Sequence, residues 1–374
     1  MEWMDLRNPL AERRIAIAAE SGGAVDYTEV KEIDGQIRLL LLRRDAAGEE
    51  TILFTATAGD SSLADGWAAG EDDWRVAAAW DGAEGMAVYG LSSFGAVRWR
   101  RRVECPGKPD WFFPLGPDRF LVRYQLAADD PLYAAYQKET GLDRVAFLYG
   151  PDSIFLVKDP AVCRAGPAGA VLHDGMVVLS QAAMAEADKE QRYLEERSRW
   201  IGRPEARDQI LVIDAAAMAG GIEEGANTLP FQTAASVGID SYARFVGAAD
   251  GRLYYRTKFF PAGTEKLCAW ELGSGRVRTL SESAGRCVYE KDKAYRVTAG
   301  EQGGWVEGLC GSELAADYPT RYGTVRRVLR DRYLVLTAAP SGGAELVTMY
   351  DTRTGRAETW EGGYTVAAET LILW

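Results

Sequence analysis

One histidine, His173, and two asparagines, Asn8 and Asn227, are spread over 374 residues. A single imidazole would have to serve alone in any Ser-His-Asp arrangement, and the G-x-S-x-G elbow of an attached α/β-hydrolase is missing. Zinc and copper sites need several His or Cys ligands at workable spacing. The five cysteines, Cys105, Cys163, Cys268, Cys287 and Cys310, are odd in number and scattered, with no CxxC pair. They read as reduced, partly buried thiols rather than a disulfide framework. No G-x-G-x-x-G or Walker sequence offers a phosphate cradle. No metal, cofactor or catalytic residue is therefore expected.

Positive charge is also short: 43 Lys and Arg face 55 Asp and Glu, a formal net charge of -12. That sign opposes nucleic-acid phosphates and anionic membranes, so neither is an expected partner. Lysine is scarce, nine residues against 34 arginines; this bias lowers the weight of any Arg cluster, including "RWRRR" at 98–102. There, alternation sends Arg98, Arg100 and Arg102 one way and Trp99 and Arg101 the other, which reads as edge charge against sheet-to-sheet pairing. No run approaches about 18 apolar residues, and the opening "MEWMDLRNPLAERR" holds no apolar signal core, so a cytoplasmic monomer is expected. With 47% hydrophobic residues the chain can bury a full core.

What is present is repetition. "YDTRTGRAETW" (350–360) returns as "WELGSGRVRTL" (270–280), with Gly355 and Gly275 at matching places. Each is a strand, an acid, a Gly turn needing positive φ, and a second strand opened by Arg. Upstream at the same offset, "SYARFVGAADGRLYY" (241–255) lies over "RYGTVRRVLRDRYLV" (321–335), pairing Tyr242 with Tyr322 and Arg252 with Arg332. Between them "CVYEKDKAYRV" (287–297) sets a period of about 40, the length of a four-stranded blade. Inner hairpins are expected near Pro117–Asp118, Asp174–Gly175, Asp250–Gly251, Asp292–Lys293 and Arg330–Asp331. Outer hairpins are expected at 39–54, 87–101, 144–158, 208–216, 270–280, 305–314 and 350–360. Strands at about 14–21 and 365–374 are left over, and together they would close the ring.

On these residues the chain resembles a β-propeller of the broad WD40-like and quinoprotein-like kind. "VYGLSSFGAVRWRR" is similar to quinoprotein-type outer hairpins: Gly95 and Trp99 fit the Gly-x-x-x-Trp spacing, while Ser92 and Phe94 stand where Asp and Thr are usual. "YDTRTGRAETW" keeps Asp351, Thr354 and Gly355, with Trp360 one residue late. The resemblance implies one all-β domain over 1–374, a seven-bladed β-propeller with six or eight blades as alternatives, and a short helical insertion in the fourth blade. Propeller lactonases hold a metal partly through Asn, which this chain nearly lacks.

Seven blades of about 40 leave a surplus, and it falls in 127–143 and 182–206, both between the second and third strands of a blade. Such loops emerge on the face where a propeller funnel usually binds ligands. In the second insertion Met184, Ala187, Gln191, Leu194, Ser198 and Ile201 share a helical face, with Asp188–Arg192 and Glu195–Arg199 as ion pairs and a stop at Gly202 and Pro204. The helix either packs on the blade edge or acts as a lid. On the same face the entries "DDW", "PDW" and "DSY" would bring Asp73, Trp74, Asp110, Trp111, Asp240 and Tyr242 to the funnel mouth, with Tyr133 and Tyr136 from the first insertion and Tyr322 from the repeat. Capping by the acids and packing of the aromatics between blades is the competing account. The expected function is a non-catalytic binding propeller for a peptide, protein partner or small polar ligand. The alternative is a carbohydrate-active enzyme with paired funnel carboxylates drawn from Asp73, Asp110, Asp129, Asp130 and Asp240.

Overall fold

The middle strands of the sheets are packed on both faces, and the buried pattern shows it. Trp74–Trp80 is buried at all seven positions, and Leu39–Leu42 at all four. Alternation survives in where the side chains go. From the strand pair Trp74–Trp80 and Gly85–Ser92, Ala77, Ala79, Ala87 and Tyr89 join a cluster with Leu39 and Leu41. Val76, Ala78 and Val88 join another with Phe112, Phe120 and Leu148. The second sheet is thus a filling between the first and the third, which is how propeller blades bury their strands.

The computed structural model describes residues 3–5, 16–21, 24–45, 49–56, 64–71, 73–82, 85–126, 129–140, 144–165, 169–249, 251–283, 286–290, 293–300, 303–339, 345–367 and 370–373. Their strands form seven four-stranded antiparallel sheets, each built from consecutive strands, and one three-stranded sheet. In each four-stranded sheet we call the strands a to d. The first sheet is Ala16–Ser21, Ala24–Ile33, Gln36–Arg44 and Glu50–Ala56. The second is Asp65–Glu71, Trp74–Trp80, Gly85–Ser92 and Val97–Glu104. The third is Lys108–Pro114, Phe120–Gln125, Val145–Tyr149 and Ile154–Leu156. The fourth is Ala170–His173, Met176–Gln181, Asp208–Asp214 and Gln232–Val237. The fifth starts at Ser241 and ends at Ser283, the sixth spans Arg286 to Tyr318, and the seventh Thr324 to Glu361. This is a β-propeller, as the repeat predicts.

Helices are few: α1 (Pro131–Thr140), α2 (Pro160–Arg164), α3 (Glu186–Trp200) and α4 (Ala215–Glu223). α1 and α3 are the two expected insertions, and each joins strand b to strand c of its sheet. The expected outer hairpin at 208–216 is not one. Strand c ends at Asp214, whose side chain caps α4 by accepting from Ala217 N at 2.8 Å, and the chain reaches strand d only after the helix.

Closure also differs from expectation. Ala16–Ser21 opens the first sheet as its strand a, so 14–21 is not the strand that meets the C-terminal segment. Trp3–Asp5 does so instead, pairing in parallel with Thr370–Leu373, which pairs antiparallel with Tyr364–Ala367. Leu371 and Leu373 are buried against Leu329, Val335, Val347 and Met349 of the seventh sheet.

The twin turns share hydrogen bonds atom for atom. Gly275 N donates to Glu271 O and Gly355 N to Asp351 O, both at 2.8 Å, with φ of 67° and 69°. Side chains add a second lock in the seventh sheet, where Arg332 donates to both oxygens of Asp351 at 3.0 and 2.7 Å.

Candidate binding clefts on the turn face

Strand direction gives the ring two faces. The loop face carries the b-to-c connections, with α1 and α3, and the d-to-a connections; the turn face carries the a-to-b and c-to-d turns. The residues expected at a funnel mouth do not converge on one of them. Asp73 and Trp74 lie at the a-to-b turn of the second sheet, on the turn face, because "DDW" opens strand b and not strand a. Asp110, Asp240 and Tyr322 do sit at or near entries to strand a, on the loop face.

Their side chains are already engaged. Asp110 Oδ1 accepts from Arg123 at 2.8 Å and Oδ2 meets Arg144 at 2.7 Å. Arg123 is buried, donates to the carbonyls of Cys163 and Ala165, and lies over the Trp111 ring. Asp130 accepts from Leu132 N at 2.7 Å at the start of α1. Asp240 accepts from the Ser241 hydroxyl at 3.2 Å. Trp74, Trp111, Tyr136 and Tyr242 are buried core residues. Tyr136 donates to Val157 O at 2.8 Å, and burial raises the Tyr242 phenol above its ordinary value. Tyr322 is half-buried, its ring 6.2 Å from that of Tyr350. Tyr133 lies in α1, and its side chain is outside the described residues. Capping and packing, the competing account, describes most of the set.

α3 is seated the other way round from its apolar pattern. Ala187, Gln191, Leu194, Ser198 and Ile201 face outward, with Leu194 75% and Ile201 58% exposed. The inward face is charged: Lys189 is fully buried against Asp208 at 2.8 Å, Glu186 and Glu190 meet Arg256 and Lys258, and Tyr193 packs on Phe260. Burial pushes the Lys189 ammonium below its ordinary value. In place of the expected Asp188–Arg192 and Glu195–Arg199 pairs, Arg192 and Arg199 approach the Trp200 ring at 4.7 and 5.8 Å.

Concavity lies on the turn face. A cleft of about 520 Å³ runs between the second and third sheets, lined by Trp99, Arg100, Arg101, Asp118, Phe120 and the turn 150–152. Trp99 and Arg101 point together across the gap, as the alternation of "RWRRR" requires. The indole stacks on Phe120 (centroids 6.4 Å, planes 11° apart) and donates to Pro117 O at 2.9 Å. Phe120 stacks in turn on Tyr149 at 5.2 Å. Arg101 lies 5.8 Å over Tyr149 and donates to the Gly150 and Pro151 carbonyls. A second cleft of about 330 Å³ adjoins it across Asp118, between the turn 115–119 and the Ala/Gly face of α4, with Arg119–Glu223 (3.0 Å) at its rim. A third, about 820 Å³ and mainly polar, lies between the sixth and seventh sheets beside Ser312, Asp331 and Arg353.

No protein-family model matches the chain, and no curated protein matches it. Among solved structures it is similar to an uncharacterized protein from Listeria monocytogenes EGD-e, at 10% identity and TM-score 0.48, over 96% of this chain and 97% of that one. It is also similar to the β-propeller domain of the Trilobed protease from Pyrococcus furiosus (10%, TM-score 0.41, 95% of each chain). A third similar structure is TolB from Acinetobacter baumannii (9%, TM-score 0.33, 93% of this chain and 84% of that one).

Among the described residues no three His, Cys, Asp or Glu side chains group as metal ligands, and no helix is long and apolar enough to cross a membrane. His173 sits beside the Asp174–Gly175 turn, both of whose residues have positive φ (48° and 70°), and its Nε2 is 3.2 Å from Asp174. Sequence reasoning missed Arg101, Asp118, Phe120 and the 150–152 turn as cleft residues. The available signal was Trp99 and Arg101 on one side of an outer strand.

Proposed function

We propose that this protein is a non-catalytic binding propeller whose ligand site is the turn-face cleft between the second and third sheets. Seven four-stranded blades, with the three-stranded terminal sheet completing the ring, form the scaffold. The observation that supports the site is the stacked Trp99–Phe120 wall closing a cleft of about 520 Å³ beside charged side chains of both signs. An apolar surface with a few convergent polar groups in that size range is the usual make-up of a ligand site. The ligand class is a peptide, a protein segment or a small polar molecule. The carboxylate pair of a glycosidase has less support, because Asp110 spends both oxygens on arginines and Asp73 lies on the opposite face from Asp110 and Asp240.

The test is calorimetric titration of a panel of short peptides and oligosaccharides against the natural protein and Pro151→Trp, which fills the cleft rim. Saturable binding abolished by Pro151→Trp is expected. Binding untouched by that substitution sinks the site, and hydrolysis of an oligosaccharide in the same mixtures sinks the non-catalytic reading.

A further inference from the structure

We infer that the cleft between the second and third sheets recognises a short unblocked peptide through its charged ends and one apolar side chain; this rests on the cleft being the ligand site. Arg101 carries the argument. Its guanidinium is held from one side by the carbonyls of Gly150 and Pro151 and supported by the Tyr149 ring, and it makes no ion pair among the described residues. A guanidinium so fixed has lost little freedom still to lose, and its remaining N–H groups suit a carboxylate in the planar, two-point geometry arginine favours. The neighbouring arginines are differently placed: Arg100 lies over the Tyr89 ring at 5.4 Å, Arg102 pairs with Asp81 at 2.6 Å, and Arg119 with Glu223 at 3.0 Å.

Opposite charge lines the same cleft. Among the described residues Asp118, 44% exposed, has one ion-pair contact, Arg119 at 3.3 Å, and the exposed Asp152 carboxylate has no partner. Trp99 lines the same cleft, held in orientation by its bond to Pro117 O and by its stacking on Phe120. One preset guanidinium, two carboxylates able to accept from an ammonium and an aromatic platform match a free carboxylate, a free amine and an apolar side chain. A neutral sugar would leave the guanidinium without its counter-charge. A longer internal protein segment would bring no terminal carboxylate.

The experiment uses the full chain and three probes: the dipeptide Leu-Phe, its C-terminal amide and its N-acetyl form, each titrated by calorimetry. Leu-Phe is expected to bind saturably, the amide about tenfold more weakly and the acetyl form also more weakly, on the scale of losing one charge-assisted contact. Arg101→Gln is expected to weaken Leu-Phe more than its amide and so bring the preference between them close to one; Arg101→Lys, with its fold checked by thermal melting, is expected to keep part of that preference. Equal binding of free and amidated peptide, an equal loss of both in Arg101→Gln, or no binding of Leu-Phe at millimolar concentration overturns the inference. If the natural protein binds all three probes equally and Pro151→Trp abolishes that binding, the cleft stands and only the role of the charged ends fails.

Discussion

Lys189 Nζ lies 2.8 Å from Asp208 Oδ2, and neither side chain has any exposed surface. Asp208 also accepts from Ala183 N at 2.9 Å and from Ala243 N at 3.1 Å. One carboxylate therefore ties the start of the 182–206 insertion, the helix α3 and the first strand of the fifth sheet. Removing one member of such a pair strands the other in a low-dielectric interior, which typically costs about 3–5 kcal/mol.

Lys189→Met should accordingly destabilise the protein by about 3–5 kcal/mol, and Asp208→Ala by more, because it orphans two backbone N–H groups as well. Urea unfolding measures both. Losses below about 1 kcal/mol would mean the pair is not what seats α3.

The related outer turns separate backbone strain from collision. Alanine at Gly355 has room, its nearest neighbour being the Tyr350 hydroxyl at 3.8 Å, so the left-handed φ alone should cost about 1–2 kcal/mol. Alanine at Gly95, with φ of 80°, would run into the Leu53 carbonyl of the first sheet, and backbone cannot step aside. Gly95→Ala is expected to cost about 2–5 kcal/mol. Equal shifts in thermal midpoint for the two variants would contradict the packing of the first sheet on the second.

Asp351 predicts an acid limb. Hydrogen bonds from Arg332, then from Thr354 and the Arg353 N–H, hold its carboxyl well below the ordinary 3.8. A depressed native value means the unfolded chain binds a proton that the native one refuses, so this stability is present above about pH 4 and is lost as pH falls towards the native value. Asp351→Asn should be less stable at pH 7 and should show a shallower loss between about pH 4 and 2. An unchanged slope in chemical denaturation across that range would remove Asp351 from the acid response.

The repeat was legible because turn chemistry is local. Gly275 and Gly355 sit where positive φ is needed, and the backbone carbonyl four residues before each glycine accepts its N–H. The insertions were legible as surplus length. "DDW" misled because an acid before an aromatic opens strand b in the second sheet as readily as it precedes strand a in the fifth. α3 misled because helical periodicity reports which residues share a face, and not which face finds partners. Arg256 and Lys258 of the fifth sheet supplied partners for Glu186 and Glu190, so the charged side turned inward and Leu194 outward.

Hydrophobic pattern, turn residues and a forty-residue beat were sufficient to specify four-stranded units and their succession into a propeller, since each depends on neighbours a few residues apart. Where a cleft opens depends on side chains roughly twenty to fifty positions apart in the chain: Trp99 reaching Pro117, and Arg101 reaching Gly150. Those contacts exist only once the second and third sheets pack together, and that packing placed the concavity on the turn face rather than beside the insertions.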